Sequence, residues 1–114
     1  MKIAVSICET KNQFFPSEVF KKCSHFLVFN SDNNRFKILI NPFFNILGLD
    51  GIQTAIFLLN YGIDVLITKG IEINSLRFFD SAKIKIYNYK GKTPKEAIKL
   101  YRQHKLSEFK LLPL

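Results

Sequence analysis

Short apolar runs alternate along the chain with polar segments rich in asparagine, glycine or proline, a pattern typical of a domain with both strands and helices. The apolar runs predict five strands, over 3–8, 25–30, 36–40, 64–68 and 84–87, the first of them buried on both faces. The polar segment 9–18 and the segment 43–50 predict loops. The turn composition of 31–34 predicts that the second and third strands form a hairpin.

Apolar residues at helical spacing predict a first helix over 51–61, with Asp50 as its N-cap and Gly62 at its C-terminal end. A second helix is predicted over 73–81. Thr93 and Pro94 predict the start of a third helix, which runs to about residue 103.

Glu96 stands three residues after Thr93, the spacing of a capping box. The tail 105–114 has no clear pattern, and its Leu111-Leu112 pair is expected to dock on the domain or on a second copy of the chain. An N-terminal hairpin followed by strand–helix–strand crossovers predicts a mixed five-stranded sheet with helices packed on it, in one domain over 1–114.

The charge balance is basic, with a formal net charge of +8 at pH 7. This surplus favours anionic partners, such as nucleic acid, acidic membranes, phosphate ligands or anionic metal clusters. A lysine-rich, solvated surface is the favoured interpretation of the same composition, because the longest basic run is the doublet Lys21-Lys22.

Two cysteines, Cys8 and Cys23, are too few for a disulfide framework. The N-terminus leads directly into a short apolar strand, unlike a signal peptide, and no apolar run approaches the length of about 20 residues that spans a bilayer. The sequence therefore predicts a cytoplasmic protein with reduced thiols.

The order of these elements, together with particular motifs, resembles the dinitrogenase iron–molybdenum cofactor biosynthesis family over about residues 1–105. The segment 48–55, GLDGIQTA, is similar to the glycine-rich entry of that family into its first helix. Asn41-Pro42 resembles the end of the third strand of the family, and 61–68, YGIDVLIT, and 84–87 resemble its next two strands.

The resemblance implies a ribonuclease-H-like three-layer α/β fold that binds or carries a metal cluster of the iron–molybdenum or iron–sulfur type. Its implied partners are metal-cluster assembly proteins. Two loops depart from the family pattern. The segment 17–22 keeps Phe20 but lacks the family's histidine, glycine and arginine, and 69–72, KGIE, replaces a Gly-Asn-rich turn.

Ligands of open α/β sheets bind beyond the carboxyl ends of the strands. This rule predicts a cofactor site at that edge, at Cys8, Gly48, Gly51, Thr68 and Gly70, where glycines allow close backbone approach. Cys8, Cys23 and His25 are the candidate metal ligands, because thiolate suits soft metals and iron–sulfur clusters. The alternative is that both cysteines are structural.

No catalytic residues stand out. The first strand has no central carboxylate for metal-dependent nuclease chemistry, and no nucleophile–base pair is apparent. The chain is therefore predicted not to be an enzyme. A second hypothesis is a basic module that binds nucleic acid or an acidic protein partner. It would use the loop aromatics Phe14, Phe15, Phe43 and Phe44, whose alternative role is packing or a dimer contact.

Overall fold

The first strand, β1 (Lys2–Thr10), runs through the middle of the sheet, and its alternating side chains are buried on both faces. The computed structural model describes residues 1–111. Ala4 of β1 joins one apolar cluster, whereas Ile3, Val5 and Ile7 join a second cluster on the opposite face. A strand covered on both faces reads as a continuous apolar run, which is why it was predictable.

The remaining elements follow in chain order. They are β2 (Gln13–Pro16), a short 3-10 helix (Phe20–Lys22), β3 (His25–Asn30), β4 (Arg35–Ile40), α1 (Ile52–Tyr61), β5 (Val65–Thr68), α2 (Ile73–Ser81), β6 (Lys85–Asn88), α3 (Pro94–Arg102) and β7 (Ser107–Phe109). Among the described residues no helix is long and apolar enough to cross a membrane.

The strands form one mixed sheet in the order β4-β3-β1-β5-β6-β7, with β2 paired to the end of β1. Strands β1, β5 and β6 are parallel, and β2, β3, β4 and β7 pair antiparallel to their neighbours. The helices α1 and α2 contribute Ala55, Leu58 and Phe79 to the cluster on one face. Helix α3 contributes Ala97 and Ile98 to the cluster on the other.

The mixed α/β class, the hairpin and the three helices are confirmed, but the prediction of five strands is wrong, because the sheet over residues 1–111 has seven. Residues 9–18 are not simply a loop. Strand β1 continues to Thr10, and after a tight turn with positive φ at Lys11 and Asn12 the chain returns as β2. Strand β7 lies in the tail and pairs with β6.

Two helix starts differ in detail from the prediction. Gly51, not Asp50, is the N-cap of α1, in a left-handed conformation (φ +94°), and the Asp50 carboxylate accepts the Ile52 N–H at 3.2 Å. Thr93 is the N-cap of α3, but its side chain makes no capping hydrogen bond, and Glu96 instead accepts the Tyr89 hydroxyl at 2.7 Å.

The predicted C-terminal cap at Gly62 is confirmed, with φ +96°. The ribonuclease-H-like designation and the docking of the tail stay predictions, and Leu112 lies outside the described residues.

Candidate functional site

The carboxyl ends of the parallel strands meet at one edge of the sheet, and α1, α2 and α3 all begin there or close by. Ligands of α/β sheets bind at this edge because loops and helix N-termini converge on it. On this molecule the longest connection at the edge is 41–51, which joins β4 to α1.

An open depression of about 560 Å³, here called the loop pocket, lies beside this connection. Lys21 and Lys22 of the 3-10 helix form one side. The other side is formed by the loop 43–49 with Gly51 and Thr54 at the start of α1. Among residues 1–111, the lining of this pocket holds two exposed lysines and no carboxylate. The pocket is therefore locally basic as well as partly apolar.

Asn41 holds the parts of the loop pocket together, although its own side chain is buried. Its amide nitrogen donates to the Cys23 carbonyl at 2.8 Å, directly after the 3-10 helix. Its amide oxygen accepts the Phe43 N–H at 3.0 Å and the Thr54 hydroxyl at 3.4 Å. One buried side chain thus links the lysine-bearing segment, the loop and the first turn of α1, which gives Asn41-Pro42 a structural role.

The two glycines of this loop have different surroundings. Gly48 has a positive φ of +84° and no atom within 4 Å of where a Cβ would stand, so its backbone is open to a ligand. Gly51 is buried, and a Cβ there would collide with the carboxylate of Glu72, the N-cap of α2. A glycine is required at Gly51 because left-handed backbone and close approach coincide.

Thr68 and Gly70, also predicted to hold a cofactor, are packed against the segment 18–20. The Thr68 hydroxyl accepts a hydrogen bond from Ser6 at 2.7 Å and donates to the Gly70 carbonyl at 3.1 Å. That carbonyl also accepts the Phe20 N–H at 2.9 Å, and a Cβ on Gly70 would stand 2.8 Å from the Glu18 carbonyl oxygen. Residues 18–20 therefore cover this part of the edge.

The three candidate metal ligands are not arranged as one site. Cys23 is fully buried in the apolar cluster beneath α1 and α2, and Cys8 is half-buried on β1. His25 pairs in register with Ile7, on the opposite face, where its ring meets Phe14 at 5.1 Å. Within residues 1–111, no three histidine, cysteine or acidic side chains are grouped so as to hold a metal ion.

The environment of Cys23 keeps its thiol neutral. Burial raises its pKa well above the ordinary value, because a thiolate would lose its hydration. Electrostatic repulsion from Glu72 and Cys8 acts in the same direction, and the hydrogen bond from Asn41 only partly opposes these effects. A protonated, buried thiol is a poor metal ligand, since the thiolate is the ligating form.

Lys21 and Lys22 stand out in the sequence as a basic doublet, but no sequence pattern predicted that they belong to the site. They lie at the loop pocket because Asn41 bonds both to the Cys23 carbonyl, directly after the 3-10 helix, and to the Phe43 N–H of the loop. Contacts of this kind join residues about twenty positions apart, and no local pattern reports them.

The fold and the loop pocket define a small α/β domain with a basic depression at the carboxyl edge of its sheet. Residues 1–104 match the family model described as dinitrogenase iron-molybdenum cofactor. The chain therefore belongs to that family, and the resemblance in its motifs is confirmed. A search of curated proteins returned no match.

Solved structures share the fold over almost the whole chain. A candidate NifB protein from Thermotoga is 19% identical with a TM-score of 0.81, covering 99% of this chain and 97% of that one. The apo form of the orange protein from Desulfovibrio gigas is 19% identical with a TM-score of 0.84, covering 95% and 92%. A candidate dinitrogenase from Methanocaldococcus jannaschii is 25% identical with a TM-score of 0.72, covering 96% and 94%.

Proposed function

We propose that this domain binds and carries an anionic metal cluster, of the iron–molybdenum or iron–sulfur type, in the loop pocket. The observation that carries the proposal is the pocket lining, which combines Lys21 and Lys22 with the open backbone of Gly48 and includes no carboxylate. Lysine side chains and free backbone N–H groups bind anions by charge and hydrogen bonding. Membership of the family supports a cluster as the anion.

The donor set fits an anionic group better than a metal that needs several protein ligands. The pocket is lined by neither cysteine nor histidine, and the Cys23 thiol is neutral and inaccessible. A cluster would therefore be held by its charge and by the backbone, with Cys8 as the accessible thiol of the chain. Binding without strong covalent ligation suits a carrier that exchanges its cargo with metal-cluster assembly proteins and catalyses no reaction.

The proposal is tested by anaerobic purification followed by metal analysis and an absorption spectrum, before and after reconstitution with a preformed iron–sulfur cluster that carries its own small thiol ligands. We expect roughly stoichiometric iron and a charge-transfer band. A protein that stays colourless and free of metal after reconstitution would contradict the proposal.

Charge reversal at the pocket provides the matched comparison. The double variant Lys21→Glu/Lys22→Glu should lose bound iron, because both of these lysines line the pocket. Lys105→Glu/Lys110→Glu makes the same change in net charge at exposed positions outside the pocket lining and should retain it. Equal loss in both variants would show that binding follows net charge and not this site.

A further inference from the structure

Strand β4 is an edge strand whose apolar side chains are exposed. It pairs with β3 alone among the strands of residues 1–111. Phe36, Ile38 and Ile40 are 44%, 41% and 71% exposed. They lie on one face of β4, because alternate residues of a strand point to the same side, and they are here called the apolar stripe. Proteins usually shorten, cover or charge such an edge, because its free backbone can pair with another chain.

The free backbone groups of β4 belong to these same residues. The Asn41 N–H donates to the Ser24 carbonyl at 2.9 Å, which sets the phase of the β3–β4 ladder. Bonded pairs alternate along an antiparallel ladder, so the N–H and C=O groups of 35, 37 and 39 point toward β3. Those of Phe36, Ile38 and Ile40 point away from the sheet.

A groove with an apolar floor and a basic rim runs between β4 and α3. It consists of two adjoining depressions of about 260 and 270 Å³, floored by residues of β1, β3 and β4. Lys95, Lys99 and Arg102 of α3 form the rim, and no carboxylate lines either depression. Lys95 lies 4.8 Å from the ring centre of Phe36. Its charge is therefore placed directly over the apolar stripe.

We propose that an acidic strand of a partner protein adds to the sheet at β4. Its backbone would pair with the outward groups of Phe36, Ile38 and Ile40, its alternate apolar side chains would enter the groove, and its carboxylates would meet the rim of α3. This surface lies on the α3 face of the sheet, whereas the loop pocket lies beside α1, so the two proposals stand independently.

Charge selects the partner. Pairing of β4 with β4 of a second copy would set two basic strands side by side, each with Arg35 and Lys37 and without a carboxylate, and like charges on neighbouring strands are destabilising. Nucleic acid would use stacking aromatics, but two of the three exposed stripe residues are aliphatic isoleucines. An acidic, alternating peptide satisfies both the apolar floor and the basic rim.

The test is a two-dimensional amide NMR titration with a short peptide of alternating valine and glutamate. We expect shifts at Phe36, Ile38 and Ile40 and slowed exchange of their amide protons. The same peptide with lysine in place of glutamate should bind at least about tenfold more weakly. Shifts elsewhere on the molecule, or none at millimolar peptide, would overturn the proposal.

Two variants distinguish specific binding at this site from nonspecific binding of the peptide. Ile40→Glu places a carboxylate on the exposed stripe and should weaken binding about tenfold, whereas Ile73→Glu, at a 51% exposed position at the start of α2 outside the groove, makes the same change and should not. Ile38→Pro removes an outward N–H without breaking a bond to β3, so it should weaken strand addition while the fold remains.

Two other occupants would overturn the proposal. Tighter binding of oligothymidine than of the acidic peptide, with shifts at the same β4 amides, would make the surface a nucleic-acid site. A dimer in sedimentation equilibrium that Ile40→Glu dissociates would make it an interface between copies of this chain.

Discussion

The neutral, buried thiol of Cys23 makes the stability of the domain depend on pH in the alkaline range. The thiol has an ordinary pKa of 9.0 and a raised pKa in the folded protein, chiefly through burial and further through electrostatic repulsion from Glu72 and Cys8. In the unfolded chain it ionises near its ordinary pKa, whereas the native state keeps the proton. The stabilising contribution is therefore complete below about pH 9 and is lost as the pH rises above that value.

The size of the effect follows from the proton balance. Between about pH 8 and pH 10 the unfolded chain releases this proton and the folded chain does not, so the free energy of unfolding should fall by about 1.4 kcal/mol. The variant Cys23→Ala removes this part of the slope. Because the thiol is fully buried, the variant also loses about 1 kcal/mol of stability at neutral pH from the missing sulfur.

Urea denaturation at three pH values between about 8 and 10 measures the difference between the two proteins. Burial also raises the pKa of Tyr89 and Tyr101, whose ordinary value is 10.0, but both tyrosines are present in each protein and cancel in the comparison. Val28→Ala is the control, because it removes buried apolar volume from the same cluster without removing an ionisable group, and it should leave the slope in place. If the parent and Cys23→Ala lose stability in parallel, the assignment of a neutral buried thiol is incorrect.

Three further predictions concern residues that shape the edge of the sheet. Asn41→Ala should lower the free energy of unfolding by about 2–3 kcal/mol in urea denaturation and alter the amide spectrum of 43–49, since buried backbone groups lose their partners; unchanged loop resonances would count against its anchoring role. Gly51→Ala should cost about 1–3 kcal/mol through left-handed backbone and collision with Glu72, and a calorimetric Tm equal to that of the parent would contradict this. Thr68→Val leaves the buried Ser6 hydroxyl without its acceptor and should cost about 1–3 kcal/mol by the same denaturation assay, whereas Thr68→Ser should restore most of it.

The local pattern of apolar residues predicted the strands and helices whose buried positions recur at regular spacing along the chain. The run 3–7 is apolar at every position except Ser6, as a strand covered on both faces must be, and β5 follows the same rule. Gly62 marked the end of α1 because glycine adopts the required left-handed conformation without strain. The order and spacing of the elements, taken with the motifs 48–55, 61–68 and Asn41-Pro42, also indicated the family that the family model confirms.

The elements that sequence missed owe their structure to distant partners. Strand β2 has only four residues and β7 only three, and each becomes a strand because β1 or β6 offers free backbone beside it. Local periodicity does not predict such pairing, because three or four residues are too few to show the alternation of a strand clearly.

The candidate site shows the same division. Sequence identified the chemistry of Cys8, Cys23, His25 and the glycines, but not where their side chains lie. In the tertiary structure Cys23 is buried on the face of the sheet covered by α1 and α2, and His25 lies on the opposite face. Residues 18–20 cover Thr68 and Gly70. It also brings Lys21 and Lys22 beside the loop that precedes α1. Residue type and local spacing determined the helices, the longer strands and the family. Packing between distant segments alone decided which side chains meet, because burial and charge depend on neighbours that the chain supplies only after it folds.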